Sequence, residues 1–129
     1  MANVANSLPG HFLTLLAQYP QLKIVSCIIR NGPSGWHALD YDGHQPIGVS
    51  QIRQDAQGVY IDYAFTATKV AGFTQSVDEY FAATEKMMVG ASVGYSYCCL
   101  QFGKSGVSGI LDPSGLSADG NAQFIGLFI

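Results

Sequence analysis

Residues 47–66 read IGVSQIRQDAQGVYIDYAFT, and this stretch decides the fold class. Ile47 to Arg53 and Val59 to Thr66 are strand-like runs on either side of Gln54-Asp55-Ala56-Gln57-Gly58, a five-residue loop closed by glycine, so a β-hairpin is expected. In the second run Val59, Ile61, Tyr63 and Phe65 alternate with Tyr60, Asp62, Ala64 and Thr66. Such alternation marks one face for a core and leaves the other nearer water.

The same style extends in both directions. Leu22 to Ile29 is β-branched and almost wholly apolar, as a central or interface strand would be, and it ends in the turn signal Asn31-Gly32-Pro33-Ser34-Gly35. Lys69 to Thr74 and Met88 to Phe102 continue the β pattern. Val77 to Glu85 is ambiguous, because Asp78-Glu79-Tyr80-Phe81-Ala82-Ala83 puts helix formers into a β context; a short irregular strand or a helical turn is expected there. Gly90-Ala91-Ser92-Val93-Gly94 predicts a close approach of strands or a bulge. Asp112-Pro113-Ser114-Gly115 suits a type I turn, and Ala122 to Ile129 reads as a final strand needing a partner on its uncharged edge. Six to eight short strands with glycine-rich turns and no long helices predict a mainly β fold, an antiparallel β-sandwich or jelly-roll-like barrel.

The first twenty residues differ. Phe12, Leu15, Leu16 and Tyr19 recur at helical spacing, Ser7 can cap, Pro9 fits an early helical position and Pro20 ends the run. At about nine residues such a helix is too short to stand alone. The expected organisation is an N-terminal arm or short helix over residues 1–21 and a single β domain over residues 22–129.

Composition narrows the function. Charged residues make up 12 % of the chain, although 48 % is hydrophobic; ordinary soluble domains carry about 25 % charged residues. A β protein so poor in charge is expected to associate. The net charge of −3 and the scattered cations Lys23, Arg30, Arg53, Lys69, Lys86 and Lys104 argue against nucleic acid. No run approaches the roughly 18 apolar residues of a spanning helix, and Met1 to Ser7 lack the basic start of a secretory signal. Residence in a cytoplasm is expected. Three cysteines, two of them adjacent at Cys98-Cys99, form no disulfide framework and read as small buried hydrophobes.

The densest chemistry lies in Trp36-His37-Ala38-Leu39-Asp40-Tyr41-Asp42-Gly43-His44, read as one loop. Its two histidines and two aspartates follow no metal-ligand spacing, and Asp40-Tyr41-Asp42-Gly43 imitates a calcium loop without the closing Glu. No metal or other cofactor is expected. Gly90-x-Ser92-x-Gly94 matches the nucleophile-elbow pattern in the wrong, β-rich context, and no acid pair stands out, so no enzyme is expected. Trp36, His37, Asp40, Tyr41, His44, Tyr95 and Tyr97 remain as contacts for a ligand or partner, since aromatic side chains serve sugar stacking and subunit interfaces alike.

The strings Ile61-Asp62-Tyr63-Ala64-Phe65-Thr66-Ala67-Thr68-Lys69-Val70, Asp78-Glu79-Tyr80-Phe81-Ala82, Gly90-Ala91-Ser92-Val93-Gly94 and Gly126-Leu127-Phe128-Ile129 resemble, in style, small β-structured virion proteins of tailed bacteriophages. The resemblance covers roughly residues 47–129 and carries no diagnostic motif. It implies a capsid decoration, head-fibre or tail subunit, made in the host cytoplasm and resident in the virion. Such a subunit would form a homo-oligomer, with a trimer expected, and would bind other virion proteins. A carbohydrate-binding β-sandwich that recognises a glycan through the Trp36–His44 loop is the alternative.

Overall fold

The computed structural model describes residues 17–129. The expected helical face of Phe12, Leu15 and Leu16 therefore lies outside the described residues, which open with the helical pair Ala17-Gln18 and a turn in which Leu22 N–H donates to Tyr19 O.

Eight strands follow: β1 (Lys23–Gly32), β2 (Gly35–Ala38), β3 (Val49–Asp55), β4 (Gly58–Tyr63), β5 (Val70–Val77), β6 (Met87–Val93), β7 (Tyr97–Lys104) and β8 (Ala122–Phe128). They form two four-stranded sheets, the first in the order β2-β1-β8-β5 and the second β3-β4-β7-β6, with every pairing antiparallel. The two sheets pack face to face as a β-sandwich, with no closed barrel. None of the described helices is long and apolar enough to cross a membrane.

Alternation builds the core. Val25, Cys27 and Ile29 of β1 and Phe124 and Phe128 of β8 face Val59, Ile61 and Tyr63 of β4 and Cys98, Leu100 and Phe102 of β7, all of them buried in one cluster. Gly126 sits on the same inward face of β8, where an added Cβ would lie 2.6 Å from the Phe128 ring and 3.0 Å from that of Phe124. The two phenylalanines close over this glycine, so a larger residue would have no room there. Tyr63 then meets Phe128 at 4.7 Å between ring centroids, while Trp36 stacks on Phe102 at 5.3 Å.

The structure revises or settles five local readings. The hairpin between β3 and β4 turns through Ala56-Gln57 alone, because Asp55 Oδ1 accepts from the N–H groups of Gln57 (2.8 Å) and Gly58 (3.2 Å) and so carries both strands closer to the turn. Trp36-His37-Ala38 is not loop but strand: β1 folds back at Pro33-Ser34, and Gly32 pairs with Gly35 where φ is 103°. Met88 to Phe102 is interrupted at Gly94, whose N–H donates to Tyr97 O, and so supplies two strands. The ambiguous segment becomes a π-helical turn, Tyr80–Thr84, that drives Phe81 into the core. The Asp112–Gly115 signal becomes a 3-10 turn at Pro113–Gly115, capped by the Asp112 side chain.

Candidate functional site

The exposed face of the second sheet carries the most organised surface chemistry. Register across the hairpin places Arg53 opposite Tyr60, and across the next pair Asp62 opposite Tyr97. The Arg53 guanidinium lies over both rings, 4.4 Å from the Tyr60 centroid and 5.1 Å from that of Tyr97. Its Nε donates to both oxygens of Asp62, at 3.1 and 2.9 Å. Gln51 Nε2 donates to the same carboxylate at 2.7 Å, and Tyr60 Oη donates to Asp55 at 2.9 Å. The result is a ridge of two tyrosines braced by one arginine and held at both ends by carboxylates.

The charges are tuned to stay in place. Burial works against Asp62, but the hydrogen bonds from Arg53 and Gln51 outweigh it and hold the carboxyl below the ordinary aspartate range. The Gln57 backbone N–H does the same for Asp55. Donation to Asp55 is the main reason that the Tyr60 phenol is pushed up to about 12. Beside the ridge, the outward positions of the edge strand β6 are Met88, Gly90 and Ser92, opposite Gly103, Gln101 and Cys99 of β7, and Met88 stands 61 % exposed.

The residues nominated from sequence are dispersed. Tyr97 belongs to the ridge; Tyr95, 56 % exposed, stands in the turn just before it. Trp36 is only 5 % exposed and its Nε1 donates to Pro113 O at 2.8 Å, so its ring is a core element and offers a ligand no face. Only its margin reaches a shallow depression shared with His37, Asp40, Ser50 and Gln51. Tyr41 and His44 do not line that depression; their rings meet each other at 4.7 Å in the loop beyond it. The loop thus splits into a strand, a depression and a separate aromatic contact.

Sequence reading treated Arg53 as one of six scattered cations and missed its role. The signal was present in the hairpin register, which needs the two-residue turn to be recognised before Arg53 and Tyr60 fall opposite each other. Ser92 points outward on β6 and has no histidine or acid bonded to it. Among the described residues, no three His, Cys, Asp or Glu side chains converge as a metal-binding group. Burial pushes the Cys27 and Cys98 thiols up to about 12, which suits packing and not nucleophilic work. Comparison with family models, curated proteins and solved structures returned no match.

Proposed function

We propose that this chain is a non-enzymatic structural subunit that works by self-association and by contact with other virion proteins, as a capsid decoration, head-fibre or tail component. The observation that carries this reading is the Arg53-Tyr60-Tyr97 ridge on the outer face of the second sheet, a face that also exposes Met88. Arginine and tyrosine are the residues in which binding energy concentrates at protein interfaces. Here they are already fixed on strands by Asp62 and Asp55, so little side-chain entropy remains to be lost on binding. Low overall charge suits a subunit that spends its working life against neighbours. The resemblance of its strand strings to small tailed-phage proteins supplies the virion setting, and a closed trimer is the proposed symmetry.

Sedimentation and native mass measurement over a concentration series test this reading. A discrete oligomer is expected, with its dissociation constant raised at least about tenfold by Tyr97→Ala or Arg53→Ala, the scale of an interface hot spot. A chain that stays monomeric at the highest concentrations and is not found in purified particles would overturn it.

Glycan recognition is the second reading, favoured by the depression in which His37, Asp40, Ser50 and Gln51 gather polar groups beside the margin of Trp36. Binding on a glycan array that His37→Ala and Asp40→Ala both abolish, with the oligomer intact, would establish it in place of the first.

A further inference from the structure

The two open sheets end in four edge strands, β2 and β5 in the first and β3 and β6 in the second. An unpaired edge invites pairing with another chain, and proteins blunt it by shortness, bulges or charge. Three of these edges are blunted. β2 is four residues long, β3 shifts register between Val49 and Gln51 and carries Arg53 and Asp55, and β5 shifts register between Val70 and Gly72. β6 has none of these devices: Met87–Val93 is seven residues without charge or proline, in unbroken register with β7.

The hydrogen-bond phase fixes which groups this edge leaves open. Gly94 N–H donates to Tyr97 O and Ser105 N–H donates to Lys86 O at the two ends of the pair, so Met88, Gly90 and Ser92 are the residues bonded to β7. Met87, Val89, Ala91 and Val93 turn their N–H and C=O groups to the other side, where no described residue bonds them. β5 runs alongside this rim in the first sheet. Its Phe73, opposite Gly126 and stacked on Phe124, points inward yet is 48 % exposed. A strand added to β6 would extend the second sheet over that ring.

We propose that β6 pairs antiparallel with β6 of a second copy about a two-fold axis at Gly90, joining the second sheets of two molecules into one. The strand is complementary to itself. Gly90 is the midpoint of β6, so this register alone pairs the whole strand. It sets Val89 opposite the partner's Ala91 and Met87 opposite the partner's Val93, which are the residues with open N–H and C=O groups, and each bulkier side chain meets a smaller one. On the outer face Met88 meets the partner's Ser92. Gly90 meets the partner's Gly90 at the axis, with nothing within 4 Å of where a Cβ would stand. No charge on either strand opposes the pairing. The contact is isologous and separate from the ridge, so it joins two ridge-built oligomers, or two monomers, in the same way. It goes beyond the assembly reading and does not rest on it.

Cysteine at the axis tests the register, in full chains carrying Cys99→Ser to remove the thiol opposite Ser92; Cys27 and Cys98 lie in the core. Under mild oxidation Gly90→Cys should link two molecules at least about tenfold faster than Met88→Cys, as a preassembled contact raises effective concentration. Cα atoms about 4.5 Å apart at the axis suit a disulfide, whereas the two Met88 positions stand about 14 Å apart. Random collision would favour Met88→Cys, since Met88 is 61 % exposed. Ala91→Pro removes an N–H from the free side and none from the ladder with β7, so it should keep the far-ultraviolet spectrum and halve the native mass. Equal cross-linking rates, or a mass that Ala91→Pro leaves unchanged in folded protein, would overturn the proposal. So would protection of the Val89 and Ala91 amides from hydrogen exchange in a monomer, which would put a segment of the same chain on the edge. An oligomer that still depends on Arg53 and Tyr97 while Gly90→Cys stays unlinked would overturn the edge contact and leave the assembly reading standing.

Discussion

The indole Nε1 of Trp36 donates to the carbonyl of Pro113 at 2.8 Å, joining a short edge strand to the 3-10 turn that precedes β8. The bond is buried, and the same ring stacks on Phe102 in the opposite sheet. One side chain therefore ties together β2, β7 and the long connection to the last strand.

Replacing Trp36 with Phe keeps most of the stacking but leaves the Pro113 carbonyl without its partner. A loss of about 1–3 kcal/mol in unfolding free energy is expected, the cost of an unsatisfied buried acceptor. Trp36→Ala removes the packing as well and should cost about 3–5 kcal/mol. Urea titration followed by far-ultraviolet circular dichroism measures both; equal stability of the Phe variant and the parent would contradict the role assigned to this bond.

Gly48 adopts φ of 70° where the chain enters β3, and a Cβ there would run into the Ile24 backbone carbonyl. Backbone cannot move aside as a side-chain tip can. Gly48→Ala should destabilise by about 2–4 kcal/mol, combining left-handed strain with overpacking. Gly90→Ala, on open strand surface with nothing within 4 Å, should be neutral or slightly stabilising. Thermal denaturation of the two variants side by side is the check.

The Arg53–Asp62 pair makes stability depend on pH in a defined direction. The folded-state pKa of Asp62 is depressed, so its contribution is present above the unfolded aspartate value of about 3.9 and is lost as pH falls through the lower folded value. The side chains are 46 % and 18 % exposed, so the pair is worth no more than about 1 kcal/mol. Asp62→Asn should be less stable than the parent at neutral pH by that amount, and the two should converge in acid. A gap that widens as pH falls would reverse the assigned sign.

Cys27 and Cys98 should resist thiol reagents in the folded state, because both are buried and burial raises their thiols to about 12. Labelling by a chromogenic disulfide at neutral pH should follow the rate of global unfolding. Rapid modification of either in native buffer would show that the core opens locally.

Much of the sandwich was legible in the chain. Val59 to Tyr63 alternates cleanly because it lies with one face in the core, and hydrophobic periodicity reports that arrangement directly, whereas Ala122 to Phe128 is largely apolar on both faces and was legible only as a strand. Gly35–Ala38 escaped because four residues are too few to show a period, and its pairing is enforced by the turn at Pro33-Ser34 and by a hydrogen bond from Trp36 N–H to Gln54 Oε1. The ridge escaped for a different reason. Arg53, Tyr60, Asp62 and Tyr97 come from three strands, and their meeting depends on cross-strand register, which local pattern does not encode.

Because β8 lies between β1 and β5, two strands made early must wait for one made last. During synthesis β3 with β4 and β6 with β7 can close as local hairpins, whereas Lys23 has no sheet partner on that side until Phe128 emerges. Non-local pairing of this kind slows folding, since the closure entropy of a long loop comes before any contact offsets it. A ribosome-bound chain that stops before Ala122 would hold two strands apart around an empty slot, open to any extended peptide that reaches it first.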